Sequence, residues 1–234
     1  VVRLQATQIQ YLSGGLLPRL ASKLVVDVKR PILEIGCGFG GSLRQFEAAG
    51  FTDRTGIEGS KHRAEVAKRA FGYDILQGSF EDLDLKGPYS IIMHHHVLEH
   101  VYSLPEFIGK CASLQRVGDY ILLGMPNNLG EPTAGVLFYL PHLHSLTVTS
   151  ITRLLGIYGY EAIAFTLTNK KALNVLAVKR DKPLDTQIAL NGFAKQAVDK
   201  MMLGLGMRRR WIDLPVRLVW SRSEDDGEQL PRWK

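Results

Sequence analysis

Residues 31–41 constrain the fold of this chain more than any other segment. An apolar run ends at Ile35, glycines follow at positions 36, 38, 40 and 41, and a helical pattern of apolar residues begins directly afterwards. Glycine accepts the positive φ angles of a tight turn and brings the backbone close to a ligand without an intervening side chain. We therefore predict a buried strand, a tight turn and the start of a helix, the first half of a βαβ unit.

The composition fits one domain of ordinary size with an appendage. The 234 residues are 45% hydrophobic, which is enough for a full core. No apolar run approaches the roughly 18 residues that a membrane span needs, and the first residues lack the layout of a signal peptide. Because there are only two cysteines, Cys37 and Cys111, we predict a cytoplasmic protein without a structural disulfide. The net charge of +6 is only a weak indication of acidic partners.

Three regions follow from the order of the predicted elements. Residues 1–30 are predicted to be helical up to the break at Pro31, because apolar residues recur at three- and four-residue spacing: Leu16, Leu17, Leu20, Leu24, Val25 and Val28. In residues 31–180, strands alternate with helices and then end in two runs, 161–167 and 172–179, typical of an antiparallel hairpin. The predicted fold is α/β, a doubly wound and mostly parallel seven-stranded sheet, with residues 181–234 as a C-terminal appendage that is partly helical.

The glycine spacing alone fits two kinds of ligand. Gly36, Gly38 and Gly41 satisfy the dinucleotide fingerprint G-x-G-x-x-G, whereas Glu34, Gly36, Gly38 and Gly40 satisfy E-x-G-x-G-x-G. Both patterns predict an acidic residue about 20 positions later that binds ribose hydroxyls. Glu58 stands 18 positions after Gly40, so it does not separate the two.

Segments later in the chain distinguish between these two kinds of ligand. The sequences Gly-Ser-Phe-Glu at 78–81, His-Val-Leu-Glu-His-Val at 96–101 and Gly-Met-Pro-Asn at 124–127 stand after predicted strands, and a histidine-rich block precedes the final hairpin. Together with E-x-G-x-G-x-G they resemble the motifs of class I S-adenosylmethionine-dependent methyltransferases. The resemblance covers residues 8–180 and is nearest to ubiquinone-biosynthesis-type and related small-molecule O-methyltransferases. It implies a Rossmann-like fold, S-adenosylmethionine as cofactor and S-adenosylhomocysteine as product.

The resemblance also implies which residues hold the cofactor. Glu34 would fix the glycine loop and the cofactor ammonium, and Glu58 would accept both ribose hydroxyls. The remaining positions implied along the cofactor are Gly36, Cys37, Gly38, Gly40, Gly59, Ser79, Phe80, Glu81 and His95. The family commonly has Asp where Ser79 stands, so Glu81 or a backbone carbonyl would replace its contact to adenine.

The histidine run after the fourth predicted strand invites a metal site, but we predict none. Adjacent residues leaving a strand point to opposite faces, so the side chains of residues 94–96 cannot easily form one coordination set. His96 and His100 could still share a helix face and assemble a site with Glu99 or His142 after folding.

A histidine is the predicted general base for a small-molecule acceptor, most simply a hydroxyl oxygen. Methyl transfer needs alignment of the acceptor and removal of its proton, and imidazole titrates near working pH. The candidates are His144, His96 and His142. His144 is the first choice because residues 129–146 form a long loop that could cover the acceptor, and Thr149 is predicted to cap the helix that follows.

Two other functions stay open at this point: a nicotinamide-dependent oxidoreductase, and a non-catalytic cofactor-binding protein of the same fold. In the appendage, apolar residues 201–207 precede Arg208, Arg209, Arg210 and Trp211. This pattern is compatible with peripheral contact to a membrane or with a helix packed on the core. We predict no DNA binding, and the modest charge disfavours RNA. The sequence does not indicate an oligomeric state.

Overall fold

The computed structural model describes residues 2–3, 25–126, 142–168 and 172–184. In chain order the strands are β1 Val2–Arg3, β2 Val25–Val26, β3 Ile32–Ile35, β4 Arg54–Glu58, β5 Asp74–Gln77, β6 Ile91–His95, β7 Tyr120–Pro126, β8 Tyr160–Thr168 and β9 Ala172–Lys179. The helices are α1 Gly41–Ala48, α2 Lys61–Phe71, α3 Leu104–Ser113 and α4 Val148–Ile157.

Seven of the strands form one sheet in the order β5-β4-β3-β6-β7-β9-β8. The first five strands in this order pair in parallel with one another, whereas β9 pairs antiparallel with both β7 and β8. This confirms the predicted fold, including the antiparallel hairpin at the end. The chain moves from β3 outward to β4 and β5 and then returns to β6 on the other side of β3. The order of strands therefore reverses between β3 and β6, and ligands of doubly wound sheets bind outside the carboxyl ends at such a point.

Helices cover the two faces of the sheet with separate apolar clusters. On one face, side chains of β6 and β7 pack against Phe107 of α3 and Ile151 of α4. On the other face, β3 and β6 pack against Phe46 of α1 and against Phe51. Each fully buried side chain of this size contributes about 1.5–3 kcal/mol of transfer free energy, so both faces hold the strands firmly.

The helices begin at local signals in the sequence. Ser60 and Ser103 cap α2 and α3 by accepting the backbone N–H three residues later, and Gly72 ends α2 with a positive φ. Helix α4 differs from the prediction, because its N-cap is Thr147 rather than Thr149. The hydroxyl groups of Thr147 and Ser150 each bond to the other residue's backbone N–H, and this reciprocal capping box fixes the start of the helix.

The helix predicted for residues 1–30 does not extend to Pro31. Val25–Val26 is instead a strand that pairs antiparallel with Val2–Arg3, and a turn follows at residues 28–30. Valine favours extended backbone, and a residue before proline is pushed away from helical angles. Arg30 then makes a bidentate ion pair with the buried Asp119, the residue directly before β7.

Several predictions concern residues outside the described ranges. They include the helical character of residues 4–24, most of the long loop at 129–146, the turn at 169–171 and the basic segment 208–211. Among the helices of the described part, none is long and apolar enough to cross a bilayer.

Candidate functional site

The glycine turn lies at the reversal point, directly after β3. Gly36, Gly38 and Gly40 have φ angles of 72°, 57° and 81°, and Gly40 is the N-cap of α1. A Cβ atom on Gly36 would lie 2.6 Å from Cγ2 of Val97, so this glycine packs against the segment after β6. A Cβ atom on Gly38 would meet nothing within 4 Å. Gly38 therefore borders open space, as expected of backbone that a ligand approaches closely.

Glu58 connects the end of β4 to this turn. One oxygen of its buried carboxylate accepts the N–H of Gly38 at 2.8 Å, and the other accepts the N–H of Ser60 at 2.9 Å. The guanidinium of Arg63 lies 3.3 Å from the carboxylate. Each carboxylate oxygen has two lone pairs, so Glu58 retains the capacity to accept ligand hydroxyls while it orders the turn.

Glu34 is a buried acid behind the same turn. Burial raises its pKa to about 8; contacts with Ser42 and with the Leu43 backbone oppose this shift, and the charge of Glu58 adds to it. Its Oε2 atom is buried without a hydrogen-bond partner. An orphaned carboxyl oxygen at this place fits a cationic group of a ligand, which would supply the missing partner.

Cys37 is a buried thiol on which the charges of both acids act. Burial, with the charges of Glu34 and Glu58, raises the pKa of its thiol to about 12. The side chain therefore stays a neutral thiol at working pH and is a packing residue, as the sequence indicates.

The loop after β5 carries the predicted adenine contacts in an unexpected arrangement. The ring of Phe80 is buried against Phe107, with 4.8 Å between centroids, so its backbone is what remains for a ligand. The Ser79 hydroxyl donates to the Glu81 carboxylate. The backbone N–H of Gly78 donates to the carbonyl of Glu58 at 3.2 Å, which places this loop beside the end of β4.

Lys110 of α3 holds the same loop, and sequence analysis missed it. Its ammonium donates to the backbone carbonyls of Phe80, Glu81 and Leu83 at 2.7, 3.0 and 2.6 Å. It also lies 5.0 Å from the centroid of the Phe80 ring. All three ammonium donors are thus spent on a single turn of backbone.

The side chains of the three successive histidines point in different directions, as the strand geometry predicts. His94 is fully buried against Phe107, and burial lowers its pKa to about 3, so it is a neutral core residue. His95 points to the opposite face and occupies the space above Gly124, where a Cβ atom would lie 2.0 Å from its ring. Partial burial and the neighbouring His96 hold the pKa of His95 below its ordinary value. The glycine at position 124 is therefore required by this ring, a constraint that no local sequence signal reveals.

His96 and Glu99 form a hydrogen-bonded pair at the start of the segment after β6. His96 has a positive φ of 55°, its backbone N–H donates to Gly124, and its Nδ1 atom lies 2.9 Å from Oε1 of Glu99. Burial raises the pKa of Glu99, but the His96 hydrogen bond, the Glu99 backbone and the charges of His96 and His100 bring it below its ordinary value. Glu99 is therefore an ionised carboxylate that orients an imidazole.

The two histidines of the predicted loop lie against this pair. The backbone N–H groups of Leu143 and His144 donate to the carbonyl of Glu99 at 2.7 and 3.3 Å. The Nε2 atom of His144 lies 2.8 Å from the carbonyl of Val101 and donates to it. The ring of His142 packs against that of His100, with 5.0 Å between centroids. The fold thus brings His96, His142 and His144 to one place, but it commits one nitrogen of His144 to the backbone.

Comparison with known proteins gives this arrangement a family. The methyltransferase domain family matches residues 6–164, more than half of the chain. The chain belongs to this family. A ubiquinone biosynthesis O-methyltransferase of Rhodopseudomonas palustris (strain BisB5) is 29% identical over 102 residues, which are 41% of this chain and 40% of that protein. The match therefore spans less than half the length of this curated relative.

Solved structures share the methyltransferase fold. One is a putative S-adenosylmethionine-dependent methyltransferase from Listeria monocytogenes, with 16% identity and a TM-score of 0.58 over 75% of this chain and 99% of the other. Another is magnesium protoporphyrin IX methyltransferase from Synechocystis PCC 6803 with bound S-adenosylhomocysteine, with 17% identity and a TM-score of 0.57 over 75% and 84%. At these identities the likeness concerns the fold.

The family match and the shared fold thus confirm the class I methyltransferase resemblance seen in the sequence, which implies S-adenosylmethionine as cofactor. The site fits this molecule on its own geometry. The open space at Gly38, the unpartnered oxygen of Glu34 and the spare lone pairs of Glu58 match a ligand that carries an ammonium and ribose hydroxyls.

Proposed function

We propose that this methyltransferase moves the methyl group of S-adenosylmethionine to a hydroxyl oxygen of a small molecule, with a histidine as general base. The observation that carries the proposal is the set of side chains at the carboxyl ends of neighbouring parallel strands, where the order of strands reverses. The acids Glu34 and Glu58 stand near the ends of β3 and β4, whereas His95 ends β6 and His96 follows it.

The acidic side would hold the cofactor. Glu58 would accept the two ribose hydroxyls through oxygens that already order the glycine turn. Glu34 would face the ammonium, and the open space beside Gly38 lets the methionine portion lie close. The bound sulfonium supplies an activated methyl group. Cys37 would remain a thiol beside it, because burial and the neighbouring acids raise the pKa of its side chain to about 12. No thiolate would then compete with the acceptor for that methyl group.

The histidine side would handle the acceptor. Of the three candidate bases, His96 has the arrangement that proton removal needs. Its Nδ1–H donates to the ionised Glu99, which fixes the tautomer that leaves Nε2 as the basic atom and stabilises the imidazolium that forms. Its side chain is 49% exposed, so an acceptor can reach it. His144 donates through Nε2 to the Val101 carbonyl, which favours an anchoring role for it.

Two observations support a hydroxyl as the acceptor: the His96–Glu99 pair and the name of the curated relative. A hydroxyl oxygen needs to lose its proton during methylation, and a carboxylate-oriented histidine provides for that. The curated relative is named as an O-methyltransferase. Together these observations favour oxygen over nitrogen as the acceptor atom.

Transfer of a labelled methyl group tests the proposal. Full-length protein would be incubated with methyl-labelled S-adenosylmethionine and phenols, catechols and alcohols, each paired with the amine of the same skeleton. We expect label in hydroxyl acceptors only. Label in the amines alone would overturn the acceptor assignment. Cofactor binding without transfer to any member of a broad panel would indicate a non-catalytic binding protein.

A further inference from the structure

A polar cluster lies on three neighbouring strands at the edge where the parallel strands end. His95 of β6 stands opposite Gly124 of β7, which stands opposite Asn174 of β9. The side chain of Asn174 is buried, and its Nδ2 atom has no hydrogen-bond partner among the residues that the structure describes. We propose that the Nδ2–H group of Asn174, beside the imidazole of His95, binds a neutral oxygen of the methyl acceptor, distinct from the hydroxyl that is methylated. In naming the ligand as the methyl acceptor, this inference rests on the proposed function.

The three residues face the same side of the sheet. Each stands two positions along its strand from a residue of the apolar cluster that packs against α1, in the order Met93, Leu122 and Leu176. Side chains two positions apart on a strand point to the same face, so the polar cluster continues the α1 face up to its edge. Ile35 at the end of β3 stands opposite His94, which places the strand before the glycine turn next to this edge.

Gly124 provides the space in which the two polar side chains approach each other. The strands β6 and β9 are not neighbours, because β7 runs between them. A Cβ atom on Gly124 would lie 2.8 Å from Nε2 of His95 and 2.9 Å from Oδ1 of Asn174. A side chain at this position of β7 would therefore occupy the place where the imidazole and the amide meet.

The amide of Asn174 needs an acceptor that the described part of the chain does not supply. Its Nδ2 atom carries two N–H donors, and a buried donor without an acceptor is costly. The neighbouring side chains of β9 on this face, Leu176 and Val178, are apolar, so packing alone does not call for an amide here. Asn174 is only 2% exposed, whereas His95 is exposed, and a ligand can reach the amide along the imidazole. A ligand oxygen would supply the missing acceptor.

The charges around the cluster favour a neutral oxygen. Partial burial and the neighbouring His96 hold the pKa of His95 below its ordinary value, so its imidazole is neutral at working pH. The charge of the ionised Glu99 also acts on this ring. A carboxylate bound here would meet a like charge and two neutral side chains, which is unfavourable in a partly buried place. A carbonyl oxygen accepts the same hydrogen bond without that cost.

The cluster adjoins the proposed general base. The rings of His95 and His96 are in edge contact, with 4.4 Å between their centroids. An acceptor whose hydroxyl reaches His96 can therefore present a second oxygen to Asn174. Two points of attachment would align the hydroxyl with the methyl group, and such alignment lowers the barrier of a reaction between two molecules. Asn174 would thus be a specificity-determining residue that takes no part in bond making.

Paired probes test the inference by binding, without turnover. Full-length protein loaded with S-adenosylhomocysteine would be titrated calorimetrically with the three isomers of hydroxyacetophenone and the three isomers of ethylphenol, in which hydrogens replace the carbonyl oxygen. At least one hydroxyacetophenone should bind about tenfold more tightly than the matching ethylphenol, the equivalent of one hydrogen bond. Asn174→Leu removes the donor at similar size, so this preference should fall below about twofold. The affinity for S-adenosylhomocysteine should stay unchanged.

Thr152→Val is the matched control. The Oγ1 atom of Thr152 is likewise buried without a hydrogen-bond partner among the described residues, but α4 packs against the other face of the sheet. Both substitutions replace an orphaned polar group by an apolar one of similar size, and only Asn174→Leu should lose the preference for the carbonyl probe. Circular dichroism and thermal melting would verify folding. Asn174→Val repeats the test if the leucine variant does not fold, because β-branched residues suit a strand.

Three results would overturn the inference. They are the absence of any preference for a hydroxyacetophenone in wild-type protein, an undiminished preference in the folded Asn174 variants, and tighter binding of the corresponding hydroxybenzoates than of the hydroxyacetophenones. Transfer of a labelled methyl group to the same probes keeps this test apart from the proposed function. Equal transfer to both members of every pair would reject the role of Asn174 alone. A carbonyl preference that depends on Asn174, without transfer to any hydroxyl, would reject the proposed function alone.

Discussion

The carboxylate of Glu58 accepts the backbone N–H of Gly38 at 2.8 Å, across 20 residues of sequence. This contact ties the end of β4 to the glycine turn after β3, so the two parts of the predicted cofactor site are ordered together. The same carboxylate is also the predicted acceptor for the ribose hydroxyls. Substitutions at both residues can therefore separate the ordering of the turn from the contact with the ligand.

Removing the Glu58 carboxylate should weaken cofactor binding. Glu58→Ala deletes the acceptor of two ligand hydroxyls and of the Gly38 N–H, so we expect a loss of about 1.5–3 kcal/mol in the binding free energy of S-adenosylmethionine. Calorimetry with S-adenosylmethionine and S-adenosylhomocysteine measures it. Glu65→Ala, an exposed acid on the nearby α2, is the control and should bind like wild type. Equal affinity of both variants would remove Glu58 from the site.

Gly38 offers a sharper comparison, because Gly72 provides a matched control. The two glycines have φ angles of 57° and 68°, and a Cβ atom on either would meet nothing within 4 Å. Alanine should cost about 1–2 kcal/mol of folding stability at each, owing to the left-handed backbone. Only Gly38→Ala should also weaken cofactor binding, since its methyl group would enter the ligand's space. Chemical denaturation and calorimetry on both variants would measure this, and an equal change in cofactor affinity would mean that strain alone is responsible.

Lys110 should act on cofactor affinity from outside the site. Lys110→Met keeps the length of the side chain but removes three donors to the backbone of residues 80–83. The loop would lose its fixed position beside the end of β4, and we expect the KM for S-adenosylmethionine to rise about tenfold, the equivalent of one or two hydrogen bonds. The kcat at saturating cofactor should change little. Lys68→Met, on the surface of α2, serves as the control, and a fall in kcat without a change in KM would contradict the positioning role.

The choice of base can be tested with the histidine variants. His96→Ala should lower turnover by about 100-fold or more, the range for loss of a general base, with cofactor affinity nearly unchanged. His144→Ala should act more weakly, because its Nε2 atom is bonded to the Val101 carbonyl. Turnover of both variants under saturating cofactor measures the difference. A larger loss of turnover in His144→Ala than in His96→Ala would mean that His144 is the general base, as the sequence predicts. Losses below about threefold in both variants would indicate that alignment alone drives the reaction.

The parts of the fold that sequence predicts are those with local causes. The turn after Ile35, the acid at the end of β4 and the final hairpin each follow from an apolar run and its flanking residues. The sequence predicts Thr149 as the N-cap of α4, two residues too late, because a threonine also stands at 147 and only its reciprocal bond with Ser150 selects it. Lys110 could not be found from sequence, since its role depends on carbonyls 27 to 30 residues away. The approach of His142 to His100 likewise depends on the path of a long connection rather than on any local pattern.

Glu34 should give the protein a distinctive dependence of stability on pH. Burial raises the pKa of this carboxyl from 4.5 to about 8 in the folded protein, whereas the unfolded chain keeps the ordinary value. Below the pKa of the unfolded chain, the Glu34 carboxyl is protonated in both states, and the stabilisation that this neutral form gives to the folded protein is fully present. Between the two values the folded state holds a proton that the unfolded state has released, so stability is lost as pH rises and the loss is complete above about 8.

The isosteric variant Glu34→Gln isolates this effect. Its free energy of unfolding should increase relative to that of wild type as pH rises, by about 1 kcal/mol per pH unit within that window, because only wild type loses stability there. The buried His94 contributes an opposite slope at lower pH, because burial lowers its pKa to about 3, but that contribution is common to both proteins and cancels. Urea denaturation at several pH values between 4.5 and 8 provides the measurement. Parallel curves for the two proteins would mean that Glu34 is already ionised in the folded state, and that the cofactor ammonium meets a carboxylate rather than a neutral acid.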